Sequence, residues 1–345
     1  MKNKINYNTQ LDFDDVLINP KLNKVSLTRK DVDVYVDNAL PIAISYMMST
    51  GTYNVAKLMN EHNVYTFLHK EYTYDEHISN LTKIKKRNLL GITSGVQPWD
   101  LKKTSKVLEK FPDIGIIHIS IANVYANLEG IIKTIKFYKN AFLDCKVSAG
   151  VIANEQLIEP LIEAGADLIS TGVGTGAACK TRTEVGVGVP QLSTLVRCSP
   201  IIHKMGAKVI ADGGCKTSGD VAKAIGAGAD IVIISSMVNH CKECDNIVEI
   251  NKKQYVNIWG LGSKKQYQLT NPTQHEYRPN EGRELLVPVS GSMVDVIEQI
   301  KGGLRSACTY VGAKNLKEFY KNTEFIKVNS IINNSMINYE KVKNG

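Results

Sequence analysis

The amino-acid sequence predicts an α/β protein built as a (β/α)8 TIM barrel, with a flap inserted after the eighth strand. Eight short runs of β-branched and apolar residues recur along the chain, and amphipathic helical patterns such as VAKLMNEHN and SGDVAKAIGAGA lie between them. Nearly continuous apolar strands that alternate with helices indicate a parallel sheet covered by helices, and eight such units favour closure into a barrel. A doubly wound open sheet is the alternative. The runs occupy residues 41–46, 64–69, 88–95, 114–120, 146–150, 167–173, 208–214 and 230–235.

The length of the chain fits one decorated domain. Its 345 residues would allow two domains, but α/β barrels commonly exceed about 250 residues as a single domain. We therefore expect one TIM-barrel domain over residues 1–345. The expected parts outside the barrel are an N-terminal extension (1–40), the flap (238–291) and a polar C-terminal tail (328–345).

The composition is typical of a soluble globular protein, with 43% hydrophobic and 22% charged residues and a net charge of +8. The basic residues are dispersed, and their densest run, residues 83–87, is typical of a solvated helix end, so nucleic-acid binding is not favoured. A mildly positive field also suits a small phosphorylated substrate. No apolar run approaches the roughly 18 to 20 residues that span a bilayer, so we expect no membrane partner.

The cysteines predict a reducing, cytoplasmic environment. There are seven of them, an odd number scattered over a long chain that begins without a secretory leader, which argues against a disulfide framework. His240, Cys241 and Cys244 resemble metal ligands, but a four-cysteine zinc site needs a second pair at similar spacing and none follows. We interpret these three residues as structural.

The strongest candidate for a nucleophile lies in residues 174–206, the long interval after the sixth strand. Barrels carry their chemistry on the loops at the carboxyl ends of the strands. In the segment GTGAACKTR (174–182), Cys179 lies among small residues that let the backbone approach a ligand. Lys180 and Arg182 flank the cysteine and would favour its reactive thiolate form. A structural cysteine near glycines is the alternative.

The ends of the seventh and eighth strands carry a pattern suited to a nucleoside monophosphate. They read ADGG at 211–214 and ISS at 234–236. In barrels, backbone N–H groups and a helix start in these two loops commonly hold phosphate, and a carboxylate such as Asp212 can accept both ribose hydroxyls. In the alternative interpretation, Asp212 caps a helix and the glycines only form a turn. The flap segment EYRPNEGR (276–283) is either a solvated loop or the source of an acid/base group.

Taken together, these segments resemble the family that contains IMP dehydrogenase and GMP reductase. LDFDDVLINP (11–20) resembles the family's N-terminal signature, GTGAACKTR with GVGVPQ its catalytic-cysteine loop, and ADGGCKTSGDVAKAIGAGAD its phosphate and ribose segment. The resemblance covers nearly the whole chain. The reductase branch is favoured because EYRPNEGR and GGLRSACTYVGA (302–313) look like reductase forms, and residues 70–87 leave no room for the regulatory domain pair of the dehydrogenases.

The resemblance implies NADPH-dependent reductive deamination of GMP to IMP through a thioimidate on Cys179, in a homotetramer. Thr181 and Glu281 match the family's proton-transfer pair. The implied nucleotide-binding residues are Asp212, Gly213, Gly214, Ser235, Ser236, Gly260, Leu261, Gly262, Arg278 and Gly282. The implied NADPH-binding residues, some of them acting from a neighbouring subunit, are Thr28, Arg29, Lys70, Ser120, Ile121, Ala122, Val173, Gly174, Tyr277, Ser306, Ala307, Cys308 and Thr309. Gly174, Gly176, Cys179 and Arg182 match a monovalent-cation loop, with K⁺ as the implied ion.

Several positions depart from the family pattern, and they fall at the carboxyl ends of strands. The changed positions include Tyr46 and Met48 after the first strand, Ser120 after the fourth, Val151 after the fifth, Ala177 beside the cysteine, and Ser235 and Ser236 after the eighth. Changes confined to the expected site leave three alternatives open. These are a related reductase or deaminating enzyme for a modified or deoxy purine nucleotide, IMP dehydrogenation, and a non-catalytic purine-nucleotide-binding regulator.

Overall fold

The computed structural model describes residues 8–23, 26–270 and 278–331. It confirms the predicted barrel, because eight parallel strands pair in sequence order and the last of them pairs with the first. That closure rules out the doubly wound alternative. After a short first strand, β1 (Val16–Ile18), the barrel strands are β2 (Leu40–Ile44), β3 (Val64–Leu68), β4 (Leu90–Ser94), β5 (Ile116–Ser120), β6 (Lys146–Ile152), β7 (Leu168–Thr171), β8 (Lys208–Asp212) and β9 (Ile231–Ile234).

Helices cover the outside of the barrel, and most begin at the polar residue that the sequence offers as a cap. Thr52 caps the first helix, and Thr73 and Thr217 each form a capping box with the acidic residue three positions later. The helices between the barrel strands are α1 (Tyr53–Glu61), α2 (Tyr74–Leu81), α3 (Pro98–Lys110), α4 (Leu128–Ala141), α5 (Ile158–Glu163), α6 (Thr181–Glu184), α7 (Gln191–Lys204) and α8 (Ser218–Gly226). The predicted single helix in residues 70–87 is α2.

The barrel strands are buried on both faces, which explains why they read as continuous apolar runs. Their outward side chains, such as Ile44 and Ile117, pack against the helices, and their inward side chains form a second cluster that includes Phe67 and Ile210. The interior is packed, so a substrate has access only at the mouth. The fold therefore directs attention to the carboxyl ends of the strands.

The flap is a small sheet with one helix, and the chain then returns to the outside of the barrel. Its strands pair antiparallel in the order β10 (Ile247–Ile250), β11 (Lys253–Trp259) and β12 (Glu284–Pro288), with α9 (Lys264–Thr270) inserted between the last two. The chain continues through α10 (Met293–Tyr310), α11 (Leu316–Asn322) and β13 (Phe325–Lys327). Among the helices of the described residues, none has the length and apolar content needed to cross a membrane.

The N-terminal signature ties the two ends of the chain to the barrel mouth. β1 pairs antiparallel with β13, and the Nζ of buried Lys223 on α8 donates to the carbonyl of Phe13 at 2.8 Å. Asp12 accepts hydrogen bonds from the backbone of Gln191 at 3.3 Å and from the guanidinium of Arg182 at 3.4 Å. The segment before β1 therefore supports the loop that carries Cys179.

Candidate active site

The flap is hydrogen-bonded to the cysteine loop as a short antiparallel ladder. The backbone N–H of Lys180 donates to the carbonyl of Glu281 at 2.6 Å, and that of Arg283 donates to the carbonyl of Ala178 at 2.8 Å. Cys179 lies opposite Gly282 in this pairing. A Cβ at Gly282 would lie 2.6 Å from the backbone nitrogen of Ser263, so the close approach requires glycine there. The ladder fixes the register of the flap over the cysteine.

The three residues predicted to be catalytic are joined by hydrogen bonds. The Cys179 thiol donates to Oγ1 of Thr181 at 3.2 Å, and the Thr181 hydroxyl donates to Oε2 of Glu281 at 2.7 Å. All three residues are partly buried. Because the chain of donors ends on a carboxylate, a proton can pass between the region of the sulfur and Glu281 through the threonine hydroxyl.

The expected activation of Cys179 by its basic neighbours is not supported. Lys180 forms an ion pair with Glu184 at 2.5 Å, so its ammonium group is directed along α6. Arg182 is held by Asp12 and donates to the carbonyl of Val189 at 3.1 Å. Both cations are neutralised by other partners, which leaves the Thr181–Glu281 pair as the polar environment of the thiol.

Asp212 lies at the carboxyl end of β8, and the hydroxyl of Tyr46 donates to its Oδ2 at 2.8 Å. Burial disfavours the charged form and raises the pKa of Asp212 to about 6, although the hydrogen bond from Tyr46 opposes this shift. The pKa of Tyr46 is raised well above its ordinary value, mainly by burial and then by the charge of Asp212. Tyr46 therefore keeps its proton and acts as a donor.

The cysteine loop and the glycines after β8 are packed as one unit. The hydroxyl of Thr175 donates to the carbonyl of Asp212 at 2.8 Å, and a Cβ at Gly172 would lie 2.2 Å from that same oxygen. Gly213 and Gly214 have φ values of +82° and +91°, which other residues rarely adopt. The close approach and these dihedrals account for the glycines in both motifs.

The alternative interpretation of Asp212 as a helix cap is wrong, because α8 is capped by Thr217. In that capping box, Asp220 also accepts from the backbone of Lys216 at 3.0 Å, so the start of α8 is satisfied by the chain's own carboxylate. The hydroxyl of Ser236 donates to the carbonyl of Cys215 at 3.1 Å. This leaves Gly213, Gly214 and the serine turn after β9, rather than the helix start, as the expected phosphate contacts.

The residues matched with NADPH binding fall into separate groups. Lys70, Ser120, Ile121, Ala122, Val173 and Gly174 follow barrel strands at the mouth. Thr28, Arg29 and the run 306–309 lie on the turn before β2 and on α10, where Arg29 Nε donates to Ser306 Oγ at 2.7 Å. The side chain of Cys308 is fully buried, so its placement does not support contact with a cofactor. Tyr277 lies outside the described residues, and Arg278 is exposed at the edge of the flap.

The remaining predicted positions lie close to the cysteine. Gly260 and Gly262 pair with the backbone of Arg283 and Glu281, and Leu261 packs against the cluster inside the barrel. In the loop matched with cation binding, the carbonyl of Gly176 accepts from the N–H of Cys179 at 3.0 Å, and Gly174 has a φ of +76°.

Sequence reasoning missed the partners that hold the site together. Asp12 stood within a recognised signature without a role, and Tyr46 was noted only as a departure from the family pattern. Thr175 gave no signal, because its contact is with a carbonyl 37 positions away. Of the other departures, Met48 supports the base of the flap, since its carbonyl accepts from Asn246 Nδ2 at 3.2 Å. Nothing in the structure explains Val151 or the exposed Ala177.

The fold and the site define a barrel enzyme with a loop cysteine that is connected to an acid/base pair under a flap. The family described as "IMP dehydrogenase / GMP reductase domain" matches residues 10–335. Relatives include the GMP reductase of Caenorhabditis elegans, 34% identical over 98% of this chain and 97% of its own length. GMP reductase of Shewanella pealeana is 35% identical over 96% and 98%, and GMP reductase 1 of Mus musculus is 35% identical over 94% and 97%. The chain belongs to the IMP dehydrogenase/GMP reductase family and is an oxidoreductase.

Proposed function

We propose that this protein is an NADPH-dependent GMP reductase that converts GMP to IMP and releases ammonia. The observation that carries the proposal is the hydrogen-bonded series of Cys179, Thr181 and Glu281 at the barrel mouth. The names of the full-length relatives support the same reaction. The overall balance is GMP, NADPH and two protons in, and IMP, ammonium and NADP⁺ out.

In this reaction the sulfur of Cys179 attacks C2 of the purine and the exocyclic amine leaves as ammonia, which gives a thioimidate. The proton that the amine needs comes through the Thr181 hydroxyl from Glu281, and the proton of the thiol leaves by the same path. NADPH, when bound, supplies the hydride that reduces C2. Loss of the Cys179 thiolate then releases IMP and regenerates the enzyme.

The nucleotide is held by the strand ends and the flap. Asp212 accepts from the sugar, while Gly213, Gly214, Ser235 and Ser236 surround the phosphate. The flap residues Gly260, Leu261, Gly262, Arg278 and Gly282 cover the nucleotide. Since Glu281 reaches Thr181 only from the flap, closure of this segment completes the catalytic group.

The residues at the mouth fit a phosphate-rich dinucleotide. Lys103 Nζ donates to the carbonyl of Lys70, which brings two ammonium-bearing side chains to the end of β3. The group formed by Arg29, Ser306 and Thr309 fits the same cofactor if a neighbouring copy supplies it, as in the proposed homotetramer. K⁺ would be held by uncharged backbone carbonyls of residues 174–182, the type of ligand that this ion takes in proteins. A single domain and a cytoplasmic location complete the proposal.

We expect binding of GMP to weaken as the pH falls through about 6. Asp212 has a pKa raised to about 6, so it is a carboxylate above that pH and a neutral acid below it, and an ionised acceptor binds hydroxyls more strongly. The loss should approach about tenfold per pH unit below 6. Calorimetric titration of GMP from pH 8 to 5 measures it.

The control for this titration is Asp212→Asn, because the phosphate of GMP also gains a proton near pH 6. The variant keeps the phosphate contribution and loses that of the carboxyl group. Profiles of identical shape for the two proteins would show that Asp212 does not hold the sugar as an anion.

The proposed activity is tested by mixing the purified protein with NADPH and, in separate reactions, GMP and other purine monophosphates. Loss of nicotinamide absorbance with GMP, and formation of one IMP per NADPH, is the expected result. Reduction of NAD⁺ with IMP, and no reaction in the other direction, would instead identify a dehydrogenase. Binding of GMP without consumption of NADPH would identify a nucleotide-binding regulator.

A further inference from the structure

We propose that Tyr46 sets the sugar specificity of the site, so that the protein takes 2′-deoxyribonucleotides as readily as ribonucleotides. This inference rests on the proposed function and concerns its substrate class. Its basis is that Tyr46 already donates a hydrogen bond to Oδ2 of Asp212, the carboxylate that faces the sugar.

Tyr46 is held rigidly at the floor of the barrel mouth. It is 8% exposed, and its ring packs on that of His118 with centroids 4.7 Å apart. The backbone below it is also fixed, because the N–H of Gly51 donates to the carbonyl of Met47 at 2.7 Å and a Cβ at Gly51 would lie 2.7 Å from the Cα of Tyr46. The phenol therefore cannot leave Asp212 without a rearrangement of a packed turn.

The contact leaves Asp212 with unequal oxygens. Oδ2 accepts from Tyr46, whereas Oδ1 has no hydrogen-bond partner within the described parts of the chain. A carboxylate that grips a vicinal diol uses one oxygen for each hydroxyl, in the same bidentate manner in which it grips a guanidinium. With Oδ2 occupied, a sugar can gain a full hydrogen bond only at Oδ1.

A site that holds one sugar hydroxyl gains little from a second. Natural nucleotides that carry a single ring hydroxyl are 2′-deoxyribonucleotides, so this substrate class satisfies the free acceptor without leaving a polar group unpaired. Hydrogen bonds to a charged acceptor contribute enough to change affinity roughly tenfold or more. The presence or absence of the 2′-hydroxyl should therefore have a much smaller effect than that of the 3′-hydroxyl.

The test compares GMP, 2′-deoxy-GMP and 3′-deoxy-GMP on the wild-type protein at pH 8, where Asp212 is ionised. Calorimetry gives the Kd values, and NADPH consumption gives kcat/KM. We expect 2′-deoxy-GMP to match GMP within about threefold and 3′-deoxy-GMP to bind roughly tenfold or more weakly. A loss of tenfold or more for 2′-deoxy-GMP would overturn the inference without use of any variant.

The matched variants are Tyr46→Phe and Tyr125→Phe. Removal of the Tyr46 hydroxyl frees Oδ2, so the preference for GMP over 2′-deoxy-GMP should rise about tenfold. The Tyr125 hydroxyl instead accepts from the backbone of Ala153 at 2.7 Å, and its removal should leave the preference unchanged. An unchanged ratio in Tyr46→Phe would refute the inference. Binding of both nucleotides without reduction of either would reject the proposed reaction, while the Kd ratio would still decide the role of Tyr46.

Discussion

Cys179→Ala is expected to abolish NADPH-dependent turnover while the protein still binds its nucleotide. The variant removes the only atom that can form the thioimidate, and loss of a covalent nucleophile commonly reduces kcat by roughly 10⁴-fold or more. The fold of the loop should persist, because residues 178–180 are held to the flap by backbone hydrogen bonds that do not involve the sulfur. Initial rates of NADPH loss and calorimetric Kd values for GMP measure the two properties separately.

The matched control is Cys145→Ala. Cys145 lies just before β6 at the closed end of the barrel, and burial raises the pKa of its thiol to about 12, so it remains protonated and unreactive. This variant should keep kcat within about twofold after correction for any loss of folded protein. Turnover by Cys179→Ala above about one hundredth of the wild-type rate would reject covalent catalysis at this residue.

The barrel could be predicted because its strands have one dominant signal. Val64–Leu68 and Ile231–Ile234 are buried on both faces, and a strand in that environment tolerates only apolar side chains over its whole length. The N-terminal and C-terminal strands β1 and β13 could not be predicted, because each has three residues and depends on a partner some 300 positions away. Such short segments carry no periodicity of their own.

The catalytic residues were found through local motifs, whereas the contacts between motifs were not. Cys179 and Thr181 are two residues apart within one recognisable loop, so their proximity follows from the sequence. The bond between Tyr46 and Asp212 joins positions 166 residues apart, and nothing local marks it. Charge alone also misled: Lys180 and Arg182 flank the cysteine along the chain, but their side chains pair with Glu184 and Asp12.

Glu281→Gln is expected to lower kcat by roughly 10² to 10⁴-fold with little change in the Kd for GMP. The amide has the shape of the carboxylate and keeps an acceptor for the Thr181 hydroxyl, but it cannot take up or return a proton. The backbone position should not move, because the N–H of residue 281 donates to the carbonyl of Gly262 and its carbonyl accepts from Lys180. Steady-state rates over pH 6 to 9, together with calorimetric GMP binding, separate proton transfer from affinity.

Glu284→Gln is the control on the same flap. Its side chain accepts only the backbone N–H of Lys265, a bond that glutamine can also make, so kcat should stay within about twofold. The series from Cys179 to Glu281 makes one further demand, because Thr181 and Glu281 act on the same proton. Once either residue has been replaced, the other has little left to lose, so Thr181→Val and Glu281→Gln combined should cost far less than the product of their separate effects. Fully multiplicative effects would mean that the two side chains act independently, and the proton path would then have to run elsewhere.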